Sequence, residues 1–399
     1  MKIHPCRVEI STRSLEDNYR FLLEQAAPYA ELMAVVKANA YGHSLELCAP
    51  ALVSAGARWL GVASVEEGVV ARALCPEAVV LVLCGVFPGQ GAAVVENRLS
   101  VVAWQQWQLD ELENAARTVG GSVPVHLEID TGMSRQGIAP EEFHAESGGA
   151  GALLTRFHPG SPLRLEGVMT HLLAADEADG RVTKAQMALL EEALRRIEAV
   201  GLHPEWLHAG SSATLLAGEA ARLGALAARF GMKAMLRPGL ALYGVTPHFN
   251  PEFEPHEPAS LAAARTQLKP VLTWKTCVTG VRAIPAGAVV GYNGTFVATE
   301  PMRLALVAAG YADGLSRLLS NRFSLLVGGQ RAPLVGLVSM DSAVVDVTEI
   351  PGVAPGDEVV ILGEQGGECI TAYDHAEATG TIPWEVFTRI GQRVARVAV

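Results

Sequence analysis

The stretch "MAVVKANAYGHS" (33–44) starts as an apolar, strand-like run and then meets Lys37, with Asn39, Tyr41, Gly42 and His43 close behind. Lysine is seldom buried without a partner. Taken alone, Lys37 reads as a snorkelling or ion-paired side chain. The alternative is a partly desolvated amine, which favours the neutral form and makes a nucleophile towards an aldehyde. The surrounding pattern decides which of the two applies. Further runs resembling the opening one follow: "WLGVAS" (59–64), "AVVLVLCG" (78–85), "LSVVAW" (99–104), "PVHLEID" (124–130), "LRLEGVMTH" (163–171), "EWLHAG" (205–210) and "MLRPGLALYG" (235–244). With "MAVVKANA" (33–40) as the first, helix-compatible stretches such as "SVEEGVVARAL" and "TKAQMALLEEALRRIEAV" lie between them. Strands alternating with helices imply a parallel sheet, and eight units fit a closed (β/α)8 barrel of the triosephosphate isomerase type. An open doubly wound sheet is the rival, but no Gly-x-Gly-x-x-Gly turn follows the first strand.

After residue 267 the pattern changes to short alternating runs, "VLTWKTCVTGV", "RLALVAAGY" and "DEVVILGE", broken by Gly, Pro and Asn. These predict a mainly antiparallel β domain. The expected organisation is an α/β barrel over 1–248, a Pro- and charge-rich linker or excursion over 249–267, and a β domain over 268–399. The early "RVEIS" is strand-like and could join that β domain. "ESGGAGALL" (146–154) reads as a loop.

The chain has 399 residues, half of them hydrophobic, and a formal net charge of -11. That length supports large cores and favours two domains. The negative charge opposes nucleic acid and anionic membrane surfaces as partners, leaving a small molecule. Six scattered cysteines show no paired zinc or redox spacing, so no metal is expected. No run approaches the ~20 apolar residues of a membrane span, and the N-terminus lacks the apolar core of a signal peptide, so a cytoplasmic protein is expected.

In a parallel barrel the site forms at the carboxyl ends of the strands, where Lys37 falls. The loops after strands seven and eight often bind phosphate. Here they offer the Ser211 and Ser212 hydroxyls with backbone amides, and the bare backbone of Gly239. Lysine and phosphate-binding loops together suggest a phosphorylated aldehyde cofactor, with pyridoxal 5'-phosphate the leading case.

"AVVKANAYGH" closely resembles the pyridoxal-phosphate lysine motif of the alanine racemase family. The resemblance continues in order through "HLEIDTGMSRQG" (126–137), "EGVMTHLLAADEAD" (166–179), "HAGSSA", "LRPGLALYG", "GYNGTF" (291–296), "AAGYADGLSR" (308–317), "GLVSMDSAVVDVT" (336–348) and "TIPWEVFTRIGQRVARV", covering nearly the whole chain. It implies a racemase that interconverts L- and D-alanine by two-base α-proton exchange on a pyridoxal-phosphate aldimine, supplying D-alanine for peptidoglycan. Lys37 would carry the cofactor and serve the face of the D enantiomer. Tyr311, from the β domain of a partner subunit in a homodimer with shared sites, would serve the other face. A tyrosine is a poor base near neutrality unless its phenolate is stabilised. The resemblance assigns that support to His171, linked to Arg237, which would face the pyridine nitrogen.

By the same resemblance, Tyr41, Ser212, the backbone of Gly239 and Leu240, and Ser211 would contact the cofactor phosphate. Arg135 would bind the substrate carboxylate, with Met340 contributing its backbone and Tyr292 lying near the entrance; Asp341 would have a supporting role. The sequence departs from the family at four positions, one of them Ser44, where glycine is usual. Glu128 stands where many relatives have a carbamylated lysine, and a direct hydrogen bond from Arg135 to Glu128 is expected instead. Trp384 stands where a phosphate-binding tyrosine is common, and an indole N–H donates but cannot accept. Ser211 replaces a usual asparagine. Alternatives are a racemase for serine or a broader set of amino acids, a non-catalytic cofactor-binding homologue, and a decarboxylase, which would want an acidic partner where Arg237 stands.

Overall fold

The computed structural model describes residues 4–139, 142, 150–177, 180–249 and 258–399. The chain forms two compact units. One comprises Arg13–Ala40 and Cys48–Lys269, and the other Met1–Thr12, Tyr41–Leu47 and Pro270–Val399.

The first unit is a closed barrel of eight parallel strands: Glu31–Val35, Trp59–Val62, Val79–Val82, Ser100–Ala103, Val123–Glu128, Leu163–Met169, Trp206–His208 and Lys233–Leu236. Closure comes from the first strand pairing with the eighth, Glu31 with Met235 and Leu32 with Leu236. Most strand positions are buried, because barrel interior and helical layer cover both faces, and this is why the strands read as continuous apolar runs. The surrounding helices are amphipathic. In Arg181–Ala199, Met187, Leu190, Leu194 and Ile197 recur at helical spacing and are buried.

All eight expected strands are present; six stop one to three residues before the expected end, and two stop well short of it. The run 33–40 is a strand only to Val35, and Lys37–Tyr41 coils into a left-handed turn. The run 235–244 is the end of Lys233–Leu236 followed by a 3-10 turn at Leu240–Tyr243, broken by Pro238 and Gly239. The segment read as a linker contains a helix, Ala259–Gln267, whose Leu261 and Ala264 are buried. The run read as a loop, 146–154, ends in a short helix, Ala150–Leu154. Residues 146–149 and 250–257 lie outside the described residues.

The second unit is built on the long strand Leu272–Ile284, which pairs antiparallel with Arg7–Ile10, Met302–Val307 and Glu358–Gln365. Arg7–Ile10 pairs on its other side, in parallel, with Ala395–Ala398. One apolar cluster joins Val290, Leu304 and Val335, and another Leu326, Val360 and Ile370. No described helix is long and apolar enough to cross a membrane, and no metal-binding cluster occurs among the described residues.

Candidate active site

Lys37 lies just past the first barrel strand, at the carboxyl rim. The chain then turns through four consecutive non-glycine residues of positive φ: Ala38 and Asn39 at 53°, Ala40 at 55° and Tyr41 at 53°. Each such residue costs roughly 1–2 kcal/mol, because Cβ crowds the next carbonyl oxygen. The turn therefore needs support from outside itself. Within it Ala40 N–H donates to Val36 O (2.8 Å); from outside, Gly61 O accepts from Val36 N–H (2.8 Å) and Glu67 Oε1 from Asn39 N–H (3.1 Å).

Other strand ends bring charged and polar groups to the rim, and Lys37 lies near enough to His171 to act on it through charge. Arg237, immediately after the eighth strand, is buried. Its Nη1 donates to His208 Nδ1 (3.1 Å), and its Nη2 to Thr170 O (2.9 Å) and His171 Nδ1 (3.2 Å). The link between Arg237 and His171 is thus in place. Burial lowers Arg237 to about 10, so it stays a cation at neutral pH. Burial, reinforced by the positive charges of Arg237, Arg135 and Lys37, pushes His171 down to about 3 and keeps it neutral.

An arginine can only donate, which fixes the tautomers behind it. His208 accepts at Nδ1 and so donates from Nε2 to His126 Nδ1 (2.7 Å); His126 donates from Nε2 to Glu166 Oε2 (3.2 Å). Burial depresses both histidines and holds them neutral. Burial alone would raise Glu166, but the bonds from His126, Arg164 and Ser100 outweigh it and hold the carboxylate down at about 2. A carboxylate midway along the sixth strand is thereby connected, through two uncharged rings, to the guanidinium at the rim. Sequence reasoning missed this relay, although His126 and His208 both stand in quoted motifs.

Glu128 ends the fifth strand and is only 2% exposed, so it is no solvent-facing glutamate. The expected bond from Arg135 does not form. Gln136 Nε2 donates to Glu128 Oε2 instead, and also to Leu83 O (3.2 Å). The cause is the loop between them. Asp130 Oδ1 accepts the amides of Gly132, Met133 and Ser134 (2.9, 2.9 and 3.1 Å), and Ile138 N–H returns to Glu128 O (2.8 Å). That turn lays Gln136 over the carboxylate and leaves Arg135 to act on it through charge. Burial pushes Glu128 up to about 7, with Gln136, Arg237 and Arg135 offsetting part of the cost.

The loops after strands seven and eight are bonded to each other. Ser212 Oγ accepts from Gly239 N–H (3.0 Å) and Ala241 N–H (3.1 Å), and Arg237 N–H donates to Gly210 O (3.3 Å). Ser211 caps the turn, its N–H donating to Thr214 Oγ1 (3.2 Å). Gly210 has φ +85°, and a Cβ there would lie 2.4 Å from the Thr214 side chain, so only glycine fits. The first amides of the two turns, at Ser212, Ala213 and Leu240, have no acceptor within their own turns and suit an anion.

The remaining expected residues belong to the other unit. Tyr311 and Met340 lie side by side: Tyr311 N–H donates to Ser339 O and Ala312 N–H to Met340 O, both at 3.0 Å. A Cβ at Gly310 would be 2.3 Å from Met340 O, so glycine is what permits this approach. Beneath them, buried Asp313 accepts from Gly310 N–H (2.9 Å) and from Arg393 Nε and Nη2 (2.7 and 3.0 Å). Arg393 Nη1 also pairs with Asp341 (2.8 Å), which gives Asp341 a structural partner. Tyr311, Met340 and Tyr292 are 44%, 54% and 69% exposed. Trp384 sits in the helix Pro383–Thr388, its carbonyl accepting from Thr388 Oγ1 (2.8 Å). Burial raises Tyr41 well above the usual phenol range, so it is an un-ionised donor.

Comparison with known proteins gives one answer. Residues 10–247 match the profile "Alanine racemase, N-terminal domain" and residues 271–398 "Alanine racemase, C-terminal domain". The alanine racemase of Symbiobacterium thermophilum is 39% identical over 394 residues, covering 99% of this chain and 97% of that one. That of Syntrophobacter fumaroxidans is 37% identical, covering 96% and 95%. Among solved structures, alanine racemase from D-cycloserine-producing Streptomyces lavendulae superposes with a TM-score of 0.86 at 34% identity, covering 100% and 98%. Alanine racemase from Bartonella henselae with covalently bound pyridoxal phosphate gives 0.80 at 28% identity, covering 99% of each chain. With both halves matched and relatives of this identity aligned end to end, the chain belongs to the alanine racemase family.

Proposed function

We propose that this chain interconverts L- and D-alanine with pyridoxal phosphate, working in the cytoplasm as a homodimer that supplies D-alanine for peptidoglycan. The observation carrying the reading is the rim of the barrel. There a lysine on a strained turn shares one electrostatic environment with Arg135, His171 and Arg237.

The donor set suits the cofactor. Arg237 commits only Nη1 and Nη2 to described residues, leaving Nε to donate to a ring nitrogen that carries no proton. The amides of Ser212, Ala213 and Leu240 suit a phosphate. When bound, pyridoxal phosphate supplies an aldehyde for an amine and a ring that draws electron density from Cα.

The chain's own residues then divide the work. Lys37 would hold the cofactor and, as a free amine, would move the α proton of the D enantiomer. Arg135 binds the substrate carboxylate. Arg237 would donate to the ring nitrogen and keep its own proton, which would favour simple reprotonation at Cα. The opposite face needs its own proton carrier, since Lys37 alone would return the proton where it found it. Tyr311 fills that role from a second copy of the chain, with Met340 beside it and Tyr292 at the entrance. Their exposure on one loop cluster is what a second subunit would cover.

The test is loss of optical purity of L-alanine, with L-serine as the nearest competing substrate, repeated with Tyr311→Phe. Racemisation of L-alanine by the wild type and its collapse in the variant are expected. An unchanged rate in Tyr311→Phe would overturn the two-base assignment. Absence of turnover with a cofactor-loaded lysine would identify a non-catalytic homologue.

A further inference from the structure

The helix Val65–Leu74 opens with Ser64 at its cap and Glu67 three residues later, the spacing of a capping box. Ser64 plays its usual part, its hydroxyl accepting from Glu67 N–H at 3.3 Å. Glu67 does not. A capping-box glutamate returns to the amide of the cap residue itself. Here one carboxylate oxygen accepts from Ala63 N–H (2.9 Å), and the other from Asn39 N–H (3.1 Å) in the loop after the neighbouring strand. Asn39 stands inside the left-handed turn that follows Lys37.

We propose that Glu67 is a positioning residue for Lys37, its carboxylate clamping the strained turn to the barrel so that the lysine amine leaves the rim in one fixed direction. The inference rests on the reading in which Lys37 holds the cofactor and carries a proton. Three observations support it. Ala38, Asn39 and Ala40 occupy a backbone region that their side chains disfavour, and relaxation of those dihedrals would redirect the chain at Lys37. The bond from Ala40 N–H to Val36 O closes the turn upon itself and would move with it, whereas Glu67 belongs to a helix seated on the barrel. Both groups facing the carboxylate are N–H donors, so two acceptor oxygens are needed. Glutamine would present its NH2 group to one of them.

The experiment compares full-length wild type with Glu67→Gln and Glu67→Ala. Two readouts need no turnover: hydrogen exchange at the Asn39 amide, and the rate at which pyridoxal phosphate becomes borohydride-trapped on the peptide containing Lys37. Exchange should accelerate and trapping should slow by about tenfold, the scale of a small misplacement of a reacting group. A third readout is the α-deuterium isotope effect, measured separately from each enantiomer of alanine. It should rise from the D side, where Lys37 takes the proton, and not rise from the L side, where Lys37 only returns one.

Wild-type exchange and trapping rates in both variants, or isotope effects rising equally from both sides, would overturn the proposal. Should Glu67→Ala not fold, Glu67→Gln carries the same readouts. If the wild type did not racemise alanine, the functional reading would fail, while exchange and trapping would still decide whether Glu67 positions Lys37.

Discussion

Glu128→Gln isolates the energetic consequence of burying a carboxyl group at the end of a barrel strand. The folded chain holds Glu128 at about 7 against an ordinary 4.5, with burial as the chief cause. That separation of about 2.5 corresponds to ~3 kcal/mol. Its sign follows from which state ionises first. Below pH 4.5 the group is neutral in both states and adds nothing. Between 4.5 and 7 the unfolded chain releases its proton while the folded chain retains it, so stability falls as pH rises. Above 7 the folded chain carries the whole cost. Glutamine has a similar shape and can accept the Gln136 bond through its amide oxygen, but it never ionises. The variant should match the wild type near pH 4 and exceed it by up to ~3 kcal/mol at pH 8, as denaturant midpoints of the full-length protein would report. A gap that stayed constant with pH, or grew in the opposite direction, would refute the reasoning. If the ionised carboxylate also holds Arg135 by charge, wild-type kcat/KM should rise through pH 7, and the variant should lack that step.

Mixing inactive Lys37→Ala and Tyr311→Phe chains, then unfolding and refolding them together, should restore about a quarter of wild-type activity, because half the dimers are mixed and each of these has one intact site; no recovery would argue against shared sites. Glu166→Leu leaves the Nε2–H of buried His126 without an acceptor and should cost ~1–3 kcal/mol in chemical denaturation. Arg393→Ala removes the side chain that ties Asp313 to Asp341 beneath Tyr311; kcat should fall roughly tenfold as the tyrosine loses its placement. Substrate-independent cofactor trapping on Lys37 should be unaffected in that variant.

The barrel is legible because each strand is covered on both faces and therefore reads as an unbroken apolar run. Its finer features are less legible for reasons specific to each. The turn after Lys37 uses two alanines, an asparagine and a tyrosine in a conformation that local sequence disfavours, so the run reads as continued strand. Contacts from outside the turn, the one from Glu67 among them, help hold it. The relay from Glu166 through His126 and His208 to Arg237 joins residues on three strands to one just past a fourth, and no spacing along the chain marks them as neighbours. Glu128 and Arg135 look complementary in sequence, but the tight loop around Asp130 brings Gln136 to the carboxylate first. The short helix at Ala150–Leu154 lies in a glycine-rich run, where composition predicts a loop.

The pairing of Arg7–Ile10 with both Leu272–Lys275 and Ala395–Ala398 bears on how the protein is made. A ribosome releases the first of these strands long before the other two exist. The residues forming the barrel are complete by Lys269, but the early strand must wait with one edge unpaired until Leu272–Lys275 emerges and the other until Ala395–Ala398 does. Assembly of the β unit therefore depends on contacts distant in sequence and is slow for that reason. During that interval the unpaired strand is where chaperone binding or misassociation between nascent chains would act.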